Sequence, residues 1–269
     1  MKRLFVFGLG YTARQIAAAW DGEVISTGRE GTLRFDDAGN VRAALADADA
    51  VLSSVPPDGA GNDAVLSTYG ADIAGKRLAY LSSTGVYGDT GGAWVDETAP
   101  TGRGRRTARA EADAAWLARG ARVFRLPGIY GPGRSALERV RAGKAYRIDL
   151  NDQVFSRVHV DDIARGVMAG WDAPAGAYNL ADDLPGSQNA VIEAACRLLG
   201  VAMPPLVGLD EAALSPTARG FYAENRRVAN GKAKRVLGWR PLFPTYREGL
   251  IACLAATAEG DDHAGERQQ

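Results

Sequence analysis

Gly8, Gly10 and Ala13 form a G-x-G-x-x-A turn at the beginning of the chain, between the apolar run Leu4–Phe7 and a helix-length segment that starts at Thr12. Gly8 permits a tight turn, Gly10 lets the backbone approach a pyrophosphate, and the small Ala13 allows close helix-to-strand packing. The amino terminus of the helix attracts the phosphates. The pattern therefore predicts a dinucleotide site whose contacts are Gly8, Leu9, Gly10, Tyr11 and Thr12.

The second apolar run ends in Thr27-Gly28-Arg29-Glu30, and this segment bears on the choice of dinucleotide. A carboxylate at this place suits a free ribose hydroxyl, whereas a guanidinium pairs with a 2'-phosphate. Arg29 therefore favours NADP over NAD, although a solvated arginine beside Glu30 is the alternative. Further cofactor contacts are predicted at Asp36, Ser54, Val55 and Pro56, and no metal site is predicted.

Short apolar runs alternate with amphipathic segments in the first half of the chain, which is typical of a parallel sheet covered by helices on both faces. The predicted strands are Leu4–Phe7, Glu23–Thr27, Leu33–Phe35, Ala50–Ser53, Arg77–Ser82 and Arg122–Leu126. The predicted helices are Thr12–Trp20, Val41–Ala46, Ala64–Ile73 and Ala108–Arg119. Right-handed crossovers then predict an α/β fold with a doubly wound parallel sheet of the Rossmann type.

After Pro127 the alternation weakens, which indicates a smaller lobe at one end of the sheet. Asp161–Trp171 is predicted as a helix with Asp161 as its N-cap, Ala177–Leu180 as a strand, and Gln188–Gly200 and Asn230–Leu237 as helices. We predict a nucleotide-binding domain at 1–180, with 131–153 contributing to a small C-terminal substrate lobe at 181–252. Residues 253–269 are predicted to form a tail with a disordered end.

The composition argues against several classes of partner. Lys plus Arg and Asp plus Glu both total 32, so no net charge attracts nucleic acid or an anionic membrane. No apolar run is long enough to span a bilayer, and we expect a cytoplasmic protein. Cys196 and Cys253 lack metal-ligand spacing and are interpreted as buried apolar residues.

Three motifs resemble those of a known family. Ser82-Ser83-Thr84-Gly85-Val86-Tyr87-Gly88 resembles the S-S-x-x-V-Y-G signature of the extended short-chain dehydrogenase/reductases, the NAD-dependent epimerase/dehydratase group. Two further segments, 125–133 and 155–164, resemble later signatures of that group in the same order. The likeness extends over nearly the whole chain and implies the Rossmann-type fold. It also implies dimerisation through helices near 64–73 and 108–119, so a homodimer is one expectation.

In that family a Ser or Thr, a Tyr and a Lys perform the chemistry, and this chain matches only the first. Ser83 corresponds to the Ser or Thr that orients the reacting oxygen, and it is the predicted catalytic residue. The Tyr and Lys should follow as Y-x-x-x-K, but the sequence has no Tyr between Tyr87 and Tyr130 and no Lys between Lys76 and Lys144. This departure resembles the atypical branch of the superfamily, and Ser53–Pro57 resembles one subgroup of it.

Several residues are candidates to replace the missing pair, each with a structural alternative. Arg103, Arg105, Arg106 and Arg109 can attract an anion but, being always charged, are poor proton donors. Tyr87 and Tyr130 lie in motifs near the expected cleft, yet tyrosines in such motifs are more often structural. His159 is expected to contribute to packing, and the loop carboxylates Asp96 and Glu97 to be solvated.

The predicted substrate contacts are Thr84, Tyr87, Tyr130, Arg134 and Arg157, the two arginines as grips for a phosphate or carboxylate. The resulting hypothesis is an NADP-dependent atypical oxidoreductase or epimerase acting on a small hydroxyl- or carbonyl-bearing metabolite such as a nucleotide sugar. The alternative is a non-catalytic NADP sensor that kept the pocket after losing the dyad.

Overall fold

The computed structural model describes residues 2–104, 107–212 and 214–266, with the backbone alone at 217, 218 and 258–266. Its strands are β1 Arg3–Phe7, β2 Glu23–Thr27, β3 Ala50–Ser53, β4 Arg77–Ser83, β5 Trp94–Val95, β6 Arg122–Leu126, β7 Gly128–Tyr130, β8 Arg147–Ile148, β9 Arg157–His159, β10 Gly176–Asn179, β11 Leu206–Val207 and β12 Arg227–Val228. Its helices are α1 Tyr11–Ala18, α2 Ala38–Asp47, α3 Ala64–Tyr69, α4 Thr107–Ala118, α5 Ala136–Arg141, α6 Val160–Gly170, α7 Gln188–Leu199, α8 Pro216–Phe221, α9 Gly231–Val236 and α10 Tyr246–Glu266.

Six parallel strands form the central sheet in the order β10-β6-β4-β3-β1-β2. After β2 the chain crosses over β1 to form β3 on its other side, so the strand order reverses between β1 and β3. Ligands of open α/β sheets bind outside the carboxyl ends of the strands at such a reversal. The predicted doubly wound α/β fold is confirmed.

Helices cover both faces of the sheet because its central strands are apolar on both sides. On one face Ala13 and Ile16 of α1 and Ile163 and Val167 of α6 pack on strand residues such as Leu4. A separate buried cluster lies on the other face and contains residues of α2, α3 and α4, including Trp116. Trp116 stacks on Tyr80 of β4 with ring centroids 5.3 Å apart.

The predicted strand Leu33–Phe35 is wrong. It contributes a single bridge between Thr27 and Leu33. The Thr32 hydroxyl accepts from Ser26 N–H and donates to the Ser26 carbonyl, at 3.0 and 3.1 Å, so a side chain makes the bonds that a neighbouring strand would make. Phe35 packs edge-on against Tyr69 at 5.3 Å, and this burial explains the apolar pattern without a ladder.

The predicted N-cap Asp161 is also wrong. Helix α6 begins at Val160, directly after its N-cap His159, whose Nδ1 accepts from Asp161 N–H at 3.3 Å. A histidine ring can act as this acceptor when its other nitrogen carries the proton. Asp161 instead lies in the first turn, where a carboxylate suits the helix dipole.

A third buried cluster lies beside the sheet and joins α5, α7 and α10 through residues such as Leu137, Ile192 and Leu250. Short parallel ladders connect β8 with β11 and β5 with β12. Helix α10 extends to Glu266, so the predicted tail at 253–269 begins within it, and 267–269 lie outside the described residues. Within the described ranges, no helix has the length and hydropathy that a bilayer crossing requires.

Candidate functional site

The glycine turn leaves the amino terminus of α1 open to an anion. Gly8 has φ +82°, and the N–H groups of Gly8 and Leu9 both donate to the Thr27 carbonyl, at 3.1 and 2.9 Å. Helix α1 then starts after Gly10 without a side-chain cap and without an acidic residue in its first turn. A Cβ at Gly10 would meet no atom within 4 Å. The open space and the unsatisfied amides fit the pyrophosphate of a dinucleotide.

The third strand supplies a wall of this turn. Ser54, directly after β3, donates through its hydroxyl to the Gly8 carbonyl and so ties the two strand ends together. A Cβ on Gly8 would lie 3.0 Å from both Ser54 Oγ and Val55 Cγ2, so the turn needs glycine here. Pro56 follows as an exposed residue. Of the predicted contacts after β3, Ser54 lines the main cavity.

Arg29 lies beside the glycine turn, and its side chain makes no hydrogen bond or ion pair with a described residue. It follows Gly28 at the end of β2. A Cβ added to Gly28 would lie 3.0 Å from Leu9 N, so the end of β2 is in contact with the glycine turn. Arg29 is exposed, and no described residue forms an ion pair or hydrogen bond with its guanidinium. Its neighbour Glu30 is instead paired with Arg14 of α1.

Asp36, the other predicted contact on this side, is exposed and held by Arg34. Two hydrogen bonds join the pair, at 3.0 and 2.8 Å. The hydrogen bond from Arg34 is the main reason that the pKa of Asp36 lies below its ordinary value. An aspartate at this place therefore stays ionised and oriented at neutral pH.

A cavity of about 670 Å³ extends from the glycine turn to residues of the segments that follow β7. Gly10, Tyr11 and Thr12 line one end, and Ser82, Ser83 and Thr84 line the wall at the carboxyl end of β4. Residues from the loop before β9 and from the segment after α8 close the other side, among them Phe155, Tyr222 and Glu224. This volume is in the range of small-molecule and cofactor sites, roughly 300–1,000 Å³.

Ser83 presents a hydroxyl to this cavity. Its Oγ accepts from Gly85 N–H at 3.1 Å and thereby caps the 3-10 turn Thr84–Tyr87. Among the described residues no acceptor takes the Ser83 hydroxyl proton. The proton is available to a substrate oxygen, and Thr84, although buried, lines the same wall.

Tyr87 does not reach the cavity, contrary to its predicted substrate contact. Its hydroxyl donates to Asn179 Oδ1 at 2.7 Å and accepts from Arg125 Nη1 at 3.0 Å, with the ring 2% exposed. Burial raises the pKa of Tyr87 to about 12, against the effect of Arg125. The motif tyrosine thus belongs to a buried network behind the wall.

Asp113 and Arg125 form the centre of that network. Asp113 accepts from Arg125 Nε and Nη2 at 3.0 and 2.8 Å, and from the hydroxyl of Ser82 at 2.6 Å. Both charged side chains are buried, 2% and 4% exposed. Because Ser82 lines the cavity, this ion pair holds the wall that carries Ser83.

Among the described residues, five arginines and one acidic residue, Glu224, line the cavity. The arginines are Arg109, Arg134, Arg139, Arg157 and Arg226. Arg134 and Arg157, the two arginines predicted to bind an anionic group of the substrate, are therefore both in the cavity lining. Glu224 pairs with Arg226 at 2.9 Å, so the cavity keeps a cationic excess that suits an anionic ligand.

Arg109 stands on α4, four residues before Asp113, in the segment where the resemblance implies a Y-x-x-x-K pair that the sequence lacks. It is half-buried and donates through Nη1 to the Tyr80 hydroxyl at 3.1 Å. Arg103 is exposed and does not belong to the described lining, while Arg105 and Arg106 lie outside the described residues. Of the predicted arginine cluster, Arg109 is the member that the fold brings to the cavity.

The remaining titratable candidates lie away from the cavity. Tyr130, a predicted substrate contact, is buried beside His159, with ring centroids 5.2 Å apart, and burial raises its pKa. Burial lowers the pKa of His159, whose ring packs against Tyr130 as expected and also caps α6, which was not expected. Asp96 is fixed by Thr98 in its loop, and Glu97 accepts from Asn179 N–H at 2.7 Å.

The two cysteines are buried in the third cluster, as predicted. Cys253 Sγ lies 3.6 Å from His159 Nε2, and burial raises its pKa to about 12. A thiol with such a pKa is a poor nucleophile. No group of acidic, histidine or cysteine residues within the described ranges has the arrangement of a metal site.

A set of lining residues from the segments after β7 was not predicted from the sequence. Its members are Arg139, Tyr146, Phe155, Gln188, Phe221, Tyr222, Glu224 and Arg226. A signal was present in the aromatic residues that interrupt polar stretches there, at Tyr146, Phe155 and Phe221-Tyr222. Their convergence depends on contacts between segments about seventy residues apart, such as Gln153 Nε2 to the Glu224 carbonyl at 2.9 Å.

Comparison with known proteins finds close structural likeness, although no family model matches the chain. A functionally unknown conserved protein from Silicibacter pomeroyi is 40% identical, with a TM-score of 0.83 over 95% of this chain and 99% of its own. MoeE5, solved in complex with UDP-glucose and NAD, is 18% identical, with a TM-score of 0.75 over 96% of this chain and 99% of its own.

A curated relative, a 3-diazoavenalumate denitrifying reductase from a Streptomyces species, is 31% identical over 140 residues, which are 48% of this chain. The chain spans 45–63% of the length of the curated relatives that it matches.

Proposed function

We propose an NAD(P)-dependent oxidoreductase function for this chain, which belongs to the same family as the conserved protein from Silicibacter pomeroyi. Its fold is that of the NAD-dependent epimerase/dehydratase group of the short-chain dehydrogenase/reductase superfamily. The reductase among its relatives supports oxidoreductase chemistry, and NAD in MoeE5 supports a nicotinamide cofactor.

One observation carries the proposal: the uncapped amino terminus of α1 and the free hydroxyl of Ser83 open into the same cavity. The amides of the first turn and Gly10 would hold the pyrophosphate. The nicotinamide, when bound, supplies the redox chemistry, and the protein supplies binding, orientation and electrostatics. Ser83 would donate a hydrogen bond to the reacting oxygen of the substrate.

Arg109 would supply positive charge on the same wall in place of the absent lysine. A guanidinium cannot release its proton near neutral pH, so its role is to stabilise negative charge that develops on the substrate oxygen. The cationic excess of the cavity supports a small anionic substrate that carries a hydroxyl or carbonyl group.

The preferred dinucleotide would be NADP. Arg29 has no partner among the described residues, whereas the nearby Glu30 is neutralised by Arg14. A free guanidinium beside the end of β2 suits the 2'-phosphate, and a paired carboxylate does not repel it.

Calorimetric titration with NADPH and NADH tests this function on the wild type and on three variants. Arg29→Ala should weaken NADPH about 10- to 100-fold, the range of a hydrogen bond to a charged group, and leave NADH unchanged. Gly10→Asp should abolish both, and it should fold because its Cβ meets no atom. Arg141→Ala, on the exposed side of α5, is the control and should bind both dinucleotides normally.

Equal losses of NADPH and NADH in Arg29→Ala would refute the NADP preference. Absence of binding of either dinucleotide to the wild type would refute the function as a whole. Tight binding without turnover of any carbonyl substrate would favour a nucleotide sensor instead.

A further inference from the structure

Of the five arginines in the described part of the cavity lining, three already have a place in the site. Arg226 is paired with Glu224, and Arg109 is bonded to a buried tyrosine hydroxyl on β4. Arg134 lies over the ring of Tyr11, 5.6 Å from its centroid, where α1 begins. That position places Arg134 on the cofactor side of the cavity. Two arginines remain for the substrate.

Arg139 is the first of these. It is exposed at the cavity and lies over the ring of Tyr146 at 5.5 Å. No described residue accepts a hydrogen bond from its guanidinium or pairs with its charge. The stacked ring orients the guanidinium and leaves its N–H groups for a ligand.

Arg157 is the second, and it is only 6% exposed. Nη1 donates to the carbonyls of Phe155 and Gly186, both at 2.9 Å, and Nη2 donates to Gln188 Oε1 at 3.2 Å. Its Nε–H has no acceptor among the described residues. Burial lowers its pKa, so an anion at the cavity would offset a costly buried charge.

Aromatic rings surround these two arginines. Phe155 and Tyr222 meet edge to face with centroids 5.5 Å apart. Burial raises the pKa of Tyr222, and the charges of Arg139 and Arg157 act against this rise. Phe221 adds a ring that is 46% exposed on the same wall.

We propose that this part of the cavity, the residues Arg139, Tyr146, Phe155, Arg157 and Tyr222, binds an aromatic carboxylate as the substrate. Guanidinium groups match a carboxylate, and the aromatic rings beside them match a planar apolar body. The proposal rests on the proposed function for its reaction but not for its binding, since none of these residues belongs to the glycine turn.

Calorimetric titration of the full chain, alone and saturated with NADPH, tests the site with four probes. Hydrocinnamate has both an aromatic ring and a carboxylate. Its neutral amide has only the ring, hexanoate has only the carboxylate, and uridine diphosphate represents a nucleotide substrate. Hydrocinnamate should bind at least about tenfold more tightly than each other probe, the ratio expected from losing one charged hydrogen bond or one ring.

The variants Arg139→Gln and Tyr222→Leu should each weaken hydrocinnamate about tenfold and leave the NADPH affinity unchanged. Arg141→Gln, two residues along the same helix, is the matched control and should change neither affinity.

Equal binding of hydrocinnamate and its amide, preference for uridine diphosphate, or no binding of hydrocinnamate would each overturn the proposal. Since NADPH is titrated separately, a failure of the dinucleotide function remains distinguishable from a failure of this site.

Discussion

Removal of the Asp113 carboxylate should destabilise the protein far more than removal of any surface carboxylate. Asp113→Ala deletes three charge-assisted hydrogen bonds, two from Arg125 and one from Ser82. It leaves Arg125, 4% exposed, with the Tyr87 hydroxyl as its remaining hydrogen-bond acceptor within the described structure. Breaking a buried pair from one side costs about 3–5 kcal/mol because the other charge stays buried without compensation.

Urea unfolding followed by circular dichroism measures this loss as a lower midpoint at an unchanged slope. Asp172→Ala is the control, because its pair with Arg77 is exposed, and should cost less than about 1 kcal/mol. The double variant Asp113→Leu with Arg125→Met should recover most of the loss, since no charge then remains buried. A loss in Asp113→Ala no larger than that of the control would refute the role of this pair.

Two further predictions concern other buried groups. Burial raises the pKa of Asp182 to about 8, so the folded chain keeps a proton that the unfolded chain releases near its ordinary pKa. Stability should therefore fall by up to about 1.4 kcal/mol per pH unit between about pH 5 and pH 7, and Asp182→Asn, but not Asp183→Asn, should remove this slope in urea titrations. Gly170→Ala should cost about 1–3 kcal/mol, because its Cβ would lie 2.5 Å from Phe124 Cζ. Gly39→Ala, on an open helix face, should instead raise the thermal midpoint slightly, and equal effects of the two would contradict the packing argument.

The fold was largely predictable because its signals are local. Strand and helix periodicity located five of the six predicted strands of the first half within a residue or two, as at β1 and β3. The exception is Leu33–Phe35. Its apolar pattern arises because Phe35 packs against Tyr69, and not because the segment forms a hydrogen-bonded strand of the sheet. Periodicity reports burial, and burial has more than one cause.

The candidate site was predictable only where a motif fixes backbone geometry. The glycine turn needs particular residues at particular places, and Gly8 indeed has a positive φ. The motif tyrosine Tyr87 misled the prediction because a side chain after a strand end can face the cleft or the core. The hydrogen bonds that Tyr87 accepts from Arg125 and donates to Asn179 hold its side chain in the core.

By itself the sequence determined the parallel sheet, the phosphate turn, the position of Ser83 and the absence of a Y-x-x-x-K pair after β4. Only the tertiary structure decided which charges meet in the cavity. Arg139 and Arg226, which were not predicted, join Arg109, Arg134 and Arg157 there, and Glu224 neutralises one of these arginines. The physical reason is that backbone propensities act over a few residues, whereas electrostatic complementarity depends on distances that folding alone sets.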